Sequence, residues 1–326
     1  MKLFLPFVIK DIGGTSIFAE KFSQSLQDQD ITVSSDFSFD FDILFIIADC
    51  PIRYLLMAKI LRKKIIQRLD GVYHPATPAG RWYWLYNLKM KLIYNFFADT
   101  VIYQSKFSKL SCEKFLGKTR AKKTAIIYNG VDLDVIPNKK DFTPHSPIKL
   151  ITFAKFRRRD QIEPLIESVK LLDPEQYSLD IYGSYTNNLD HLFDNLPNHI
   201  RFQGKKSNKD LLQILHQYDI FLFSDQSACP NSVLEAMAAG LPVVAFDRGS
   251  IPELIKPSYN GEIIPIQSES NPFLESFPFR DKQYRNFSDS IQKMSVDYTL
   301  YSQQALDRVK NYFTISQMIS KYHEIL

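Results

Sequence analysis

The chain has 326 residues, 45% of them hydrophobic and 13% aromatic, enough apolar material for about two domains with a core in each. That composition excludes intrinsic disorder, a collagen-like fibre and a small disulfide-stapled module. Forty Lys and Arg against 36 Asp and Glu leave a net charge of only +4, which is not that of a nucleic-acid binder, and no nucleic-acid partner is expected. The three cysteines, Cys50, Cys112 and Cys229, lie far apart and without metal-ligand spacing, so neither a disulfide framework nor a zinc site is expected and a reducing compartment is favoured.

The opening MKLFLPFVIKD is too short for a signal-peptide core and reads as a first strand over residues 3–9. No apolar run approaches the ~18 to 20 residues needed to cross a bilayer, so the expected location is cytoplasmic, with membrane contact only at a surface. Further strands are expected at 43–48, 64–68, 100–103 and 124–128, with helices such as 16–26 and 107–115 between them. The segment DVIPNKKDFTPHSPIK, residues 134–149, interrupts this rhythm with three prolines and reads as an interdomain linker. The boundary is therefore set near Pro147, giving domains 1–146 and 147–309. Strands then resume at 149–153, 179–182, 200–202, 220–223 and 243–246, with helices at 210–217 and 233–239. Alternating strand and helix implies two doubly wound α/β domains. In such sheets ligands bind outside the carboxyl ends of the strands, and two facing domains create a cleft between those loops.

The strongest constellation is CPNSVLEAMAAGLPVVAFDRGSIPELI, residues 229–255. A helix here follows a strand, ends at Gly240 and is barred from continuing by Pro242. Its N-terminal N–H groups, at Asn231, Ser232 and Val233, make an anion site suited to a diphosphate. Glu235 has two readings. Its two carboxylate oxygens suit the cis-diol of a ribose, while Ser232-x-x-Glu235 is also the pattern of a capping box, in which the glutamate caps its own helix.

The whole stretch resembles the nucleotide-sugar signature of the GT-B glycosyltransferases, specifically the retaining GT4 family. Other segments resemble that family in the right order. IKDIGGTSIFAEKFSQSL is similar to its opening glycine pair, with Gly13 and Gly14 at a phosphate-approaching turn. FADTVIYQSKFSK and AIIYNGVDLDVI look like the segments that end its first domain, and IRFQGKKSNKDLLQILHQYDIFLFSDQS, which contains Gly204, looks like the piece preceding the signature. The resemblance implies a GT-B fold, with two Rossmann-like domains facing a cleft and a C-terminal helix, 310–326, joined to the first. It implies substrate binding at these glycines and at Glu235 and Gly249. Lys155 matches a family arginine and Arg159 lies near a family lysine; both would neutralise the departing nucleoside diphosphate.

Two positions depart from the family pattern. Ser227 stands where a second carboxylate is common, with Asp225 two residues away. In RLDGVYHP, Asp70 stands where the family often has a histidine, with His74 four residues on, and Asp70 is preferred as the catalytic group. Asp-x-Asp pairs at Asp28/Asp30, Asp40/Asp42 and Asp132/Asp134 read as surface or turn carboxylates, so neither a catalytic metal nor a cofactor is expected. The expected activity is transfer of a hexosyl unit from a nucleoside-diphosphate sugar to a glycan or lipid-linked glycan. The alternatives are a catalytically weak or inactive nucleotide-sugar-binding partner subunit and, less in keeping with AMAAGLPVV, a nucleotide-sugar epimerase. The charge is uneven: residues 1–146 carry roughly +7 and the remainder roughly −3. Within the basic part, GRWYWLYNLKMKLIYNFF interleaves cations with aromatic rings, a mixture suited to an anionic membrane surface, to a core helix with snorkelling lysines or to phosphorylated acceptors.

Overall fold

The computed structural model describes residues 1–7, 14–27, 30–75, 77, 80–137, 139–266 and 279–326. They form two compact units, the first made of Met1–Gly130 and the C-terminal Ile315–Leu326, the second running from Val131 to Thr314.

The first unit is built on a parallel sheet of β1 (Lys2–Phe4), β2 (Thr32–Ser34), β3 (Ile43–Ile47), β4 (Lys64–Leu69), β5 (Thr100–Tyr103) and β6 (Lys123–Ile126), in the order β2-β1-β3-β4-β5-β6. Strand β3, ILFII, is buried at every position because helices cover both faces of the sheet. Alternate residues serve opposite faces. Ile43, Phe45 and Ile47 pack with Phe22 of α1 (Gly14–Gln27), whereas Leu44 and Ile46 pack with Leu55 and Ala58 of α2 (Ile52–Ile60). Helices α3 (Tyr83–Leu92) and α4 (Lys106–Leu116) add Met90, Cys112 and Leu116 to a neighbouring cluster with Leu69 and Val101. Ser105 starts α4 by accepting a hydrogen bond from the Ser108 N–H at 2.9 Å, and Gly117 stops it at φ +89°.

The second unit carries β7 (Ile148–Phe156), β8 (Tyr177–Tyr185), β9 (Ile200–Gly204), β10 (Ile220–Phe223), β11 (Val243–Phe246) and β12 (Gly261–Ile264), all parallel, in the order β12-β11-β10-β7-β8-β9. Its helices are α5 (Glu163–Val169), α6 (Asn208–Ile214), α7 (Asn231–Ala238), α8 (Ile251–Leu254), α9 (Asp281–Val296) and α10 (Tyr298–Tyr312). The chain lays β7, β8 and β9 outward on one side and returns to place β10 beside β7. The strand order reverses between these two strands, which makes their carboxyl ends the switch point where doubly wound sheets bind ligands.

The chain divides at Gly130/Val131, not near Pro147 as its composition suggested. Residues 131–146 belong to the second unit because they are fastened to it. The Val131 N–H donates to the Phe313 carbonyl at 2.9 Å, and the buried Lys139 ammonium reaches Asp219 Oδ1 at 2.7 Å and the Tyr298 hydroxyl at 2.6 Å. Asp219 also lies 2.8 Å from His145 Nδ1 and accepts from the Lys149 N–H at 2.8 Å. Burial lowers the Lys139 pKa and the Asp219 charge opposes that shift. At the other end of the chain, residues 310–314 stay with the second unit, while α11 (Ile315–His323) packs Met318, Ile319 and Tyr322 into the first unit's core.

Candidate functional site

Three loops meet at the switch point: 157–162 after β7, 224–230 after β10 and 247–250 after β11. Ser224 donates to the Gln161 carbonyl at 2.5 Å, and Arg248, almost fully buried, donates to the Ser224 carbonyl at 3.0 Å and to Asp160 Oδ2 at 2.8 Å. Arg158 grips both oxygens of Asp160 at 2.9 and 3.2 Å and reaches Asp225 at 3.4 Å. Burial alone would raise the Asp160 pKa, but the Arg158 hydrogen bonds and the Arg248 charge outweigh it and hold the carboxyl below its usual range. Strand ends that must carry fixed charge are thus braced by two arginines and two aspartates drawn from three loops.

Gly249 explains how the third loop closes on the second. Its φ is +59°, and a Cβ there would lie 2.5 Å from the Ser227 carbonyl oxygen and 2.7 Å from the Ser227 nitrogen. Only glycine admits that approach. The Ser250 N–H then donates to the Ser227 carbonyl at 3.0 Å. Ser227, where a carboxylate was considered, therefore contributes its backbone to loop packing.

Helix α7 follows directly. Its N-cap is Pro230, which has no capping side chain, and Asn231, Ser232 and Val233 occupy its first turn with N–H groups aimed out of the helix end. Glu235 is the fifth helical residue and 2% exposed. A capping box needs its acid at the third helical residue, three after the cap, so the capping reading of Ser232-x-x-Glu235 does not hold. The helix stops at Gly240, φ +85°.

The expected cations are placed unevenly. Lys155 is exposed near the carboxyl end of β7, beside Ser184 of β8. Arg159 is 65% exposed and bound through its guanidinium to Glu163 in the next turn, so Arg158, not Arg159, is the cation tied to the strand ends. Gly204, φ +75°, ends the edge strand β9, with β8 between it and β7. Gly14 opens α1, while Gly13 lies outside the described residues, as does Asp28. Asp70 sits at the end of β4 as expected, held by Arg68 and by Gln104 Nε2 at 2.7 Å. Arg68 itself is buried, donating to the Tyr322 hydroxyl at 2.9 Å and to Asn129 at 2.8 Å, with its guanidinium 3.4 Å from the Phe18 ring centroid.

Sequence reading missed Arg158, Asp160 and Arg248. The available signal was position: RRRD and FDRG each place charge within four residues of a strand's carboxyl end. Among the described residues no cluster of three or more His, Cys, Asp or Glu side chains has metal-holding geometry.

This architecture, two parallel six-stranded sheets with flanking helices and a switch-point site on the second, is the GT-B fold. It superposes with TM-score 0.76 on Anabaena HepE in complex with UDP, covering 99% of this chain and 98% of that one at 16% identity. Residues 147–275 match the family model Glycosyl transferases group 1, so the chain carries a group 1 glycosyltransferase segment of the kind its motifs resemble. The amylovoran biosynthesis glycosyltransferase AmsK of Erwinia amylovora is 25% identical over 158 residues, 44% of this chain and 39% of AmsK. The colanic acid biosynthesis glycosyltransferase WcaL of Salmonella typhimurium, itself named as putative, is 26% identical over 156 residues, 44% of this chain and 38% of WcaL. The chain's match thus spans about two fifths of the length of these relatives.

Proposed function

We propose that the chain is a retaining, metal-independent glycosyltransferase. It would move a hexosyl unit from a nucleoside-diphosphate sugar to a hydroxyl of a glycan or lipid-linked glycan, in polysaccharide or glycolipid assembly at the cytoplasmic face of a membrane. The observation that carries this is the position of Glu235: a carboxylate at 2% exposure, five residues into the helix that starts beside the switch point, one turn from the N–H groups of its first turn. Its two oxygens fit a ribose diol, while the N–H groups of Asn231 to Val233 fit the diphosphate. Lys155 and Arg158 would stabilise the charge that develops as the diphosphate departs, with Arg159 released from Glu163 as a further donor. In the first unit, Asp70 at the end of β4 is the candidate catalytic group. The UDP bound to HepE supports the donor class, and the amylovoran biosynthesis named for AmsK supports the acceptor class.

The test is release of nucleoside diphosphate from a panel of nucleoside-diphosphate hexoses, with and without a chelator. Turnover of at least one donor, unchanged by the chelator, is expected. Lys155→Ala should lower kcat by about 100-fold or more, the usual loss when one such contact is removed. Ser227, where a carboxylate is common, favours a second reading, a nucleotide-sugar-binding partner subunit without turnover. Donor binding with no release or transfer would establish that reading in place of the first.

A further inference from the structure

The first unit presents an outward face that contradicts the ordinary pattern of a surface helix, which is polar on its exposed side. In α3 the inward side is settled: Asn87 and Met90 are buried, and the Asn87 side chain holds the Tyr73 backbone through hydrogen bonds of 2.9 and 2.7 Å. Yet the outward side carries Trp84, Leu88, Leu92 and, one turn further into the π-helical turn Ile93–Phe97, Phe96, four exposed apolar residues at intervals of four. Helix α2 repeats the arrangement with Ile52, Leu56 and Ile60 exposed on one stripe while Leu55 and Ala58 are buried.

The two helices cover the same face of the sheet, since α2 and Ile93, which follows α3, pack into one core cluster. Eleven of the twenty exposed large apolar side chains among the described residues fall between Ile52 and Phe96, a concentration on these two helices and the segment joining them. Met90, Ile93 and Tyr94 of the aromatic segment are core residues, whereas Trp82, Trp84, Tyr86, Leu88 and Phe96 are not.

What covers the patch is indicated by its charge. Exposed Arg53 and Arg62 flank the α2 stripe, with Lys59 beside them paired to Asp99 at 3.4 Å, and Arg81, Lys89 and Lys91 flank that of α3. Between residues 53 and 98 the only acid is Asp70, which Arg68 already holds. A symmetric dimer through this face would set cations against cations. An anionic bilayer accepts both components: apolar and aromatic side chains enter the interfacial layer and each nearby cation gains from the surface potential. We propose that the α2–α3 face is the surface on which this protein docks to anionic lipid. This deepens the membrane-face part of the function proposed above and rests on that part alone.

Both tryptophans of the chain, Trp82 and Trp84, are on this face and about half exposed, so intrinsic fluorescence reports on it without labelling. The experiment mixes the full chain with phosphatidylcholine vesicles with and without phosphatidylglycerol, reading sedimentation and tryptophan emission. Expected are pelleting and a blue shift with the anionic vesicles only, both fading as salt is raised. Lys89→Glu with Lys91→Glu should weaken partitioning about tenfold or more. Trp84→Ser with Leu88→Ser should abolish pelleting, and both variants should melt like the parent because the altered side chains are exposed. No response to anionic vesicles, equal response to neutral ones, or a concentration-dependent dimer with blue-shifted emission in the absence of lipid would each overturn the proposal. No donor is present in this assay, so its failure would leave the transferase reading standing, and a failure of donor turnover would leave the vesicle result standing.

Discussion

Glu235 shows how one residue's reading turns on where its helix begins. In the sequence, Ser232 and Glu235 have the spacing of a cap and its reciprocal partner, and nothing in the letters separates that from ligand binding. The structure starts α7 at Asn231 with Pro230 as the cap, so Glu235 is two residues too deep to cap. A mutation can then read its ligand role without a capping loss. Glu235→Gln keeps size and leaves the helix start unaltered but removes one acceptor oxygen and the charge. Under the proposed function, affinity for the matching nucleoside diphosphate falls by about tenfold or more, since hydrogen bonds to charged groups are worth ~1.5 to 3 kcal/mol. Isothermal titration of the variant checks this, and unaltered affinity means the ribose role is wrong. The buried charges at the strand ends were harder to foresee: Asp160 and Arg248 are 88 positions apart, and only folding brings them within 2.8 Å.

At the level of elements, legibility followed burial. Strands β3, β4, β5, β10 and β11 were visible as short apolar runs because each is buried along nearly its whole length. Strand β2, three half-exposed residues, and β12, GEII with a glutamate inside it, lack such a run and were missed. The segment 134–149, expected as a linker, differs for the converse reason. Its prolines and charges are those of a linker, and only the Lys139–Asp219–Tyr298 contacts reveal that it is fastened down. A C-terminal helix joined to the first unit was implied by the family resemblance, and the energetic weight of α11 follows from its contacts. Met318, Ile319, Tyr322 and Ile325 are buried in the first unit's core, and Tyr322 also accepts from Arg68. At ~1.5 to 3 kcal/mol for each buried large side chain, their loss is comparable with the ~5 to 15 kcal/mol that stabilises a typical domain. Deletion of residues 315–326 should therefore unfold the first unit. Hydrogen exchange should show protection lost over β3 to β5 and kept over β7, β10 and β11. Retained protection in β3 to β5 would show that the helix only decorates the core.

For the molecule as a whole, the net charge of +4 conceals two differently equipped units, each with its own sheet and core. The nucleotide-binding roles proposed for Lys155, Arg158, Asn231 to Val233 and Glu235 fall on β7, α7 and the loop after β7, all in the second unit, whereas the exposed basic and apolar face belongs to the first. A ligand that binds only a folded unit stabilises that unit by RT ln(1 + [L]/Kd), ~2.7 kcal/mol at a hundredfold excess over Kd. For a unit of this size each kcal/mol moves the midpoint by about 2 to 4 °C, so a shift of roughly 5 to 10 °C is expected. Scanning calorimetry with a saturating nucleoside diphosphate should accordingly raise one transition and leave a second in place. The raised transition is identified by the α11 deletion, which removes the other. A ligand that moved the first unit's transition, or neither, would relocate the nucleotide away from the β7/β10 switch point and withdraw the roles assigned to Lys155, Arg158 and Glu235.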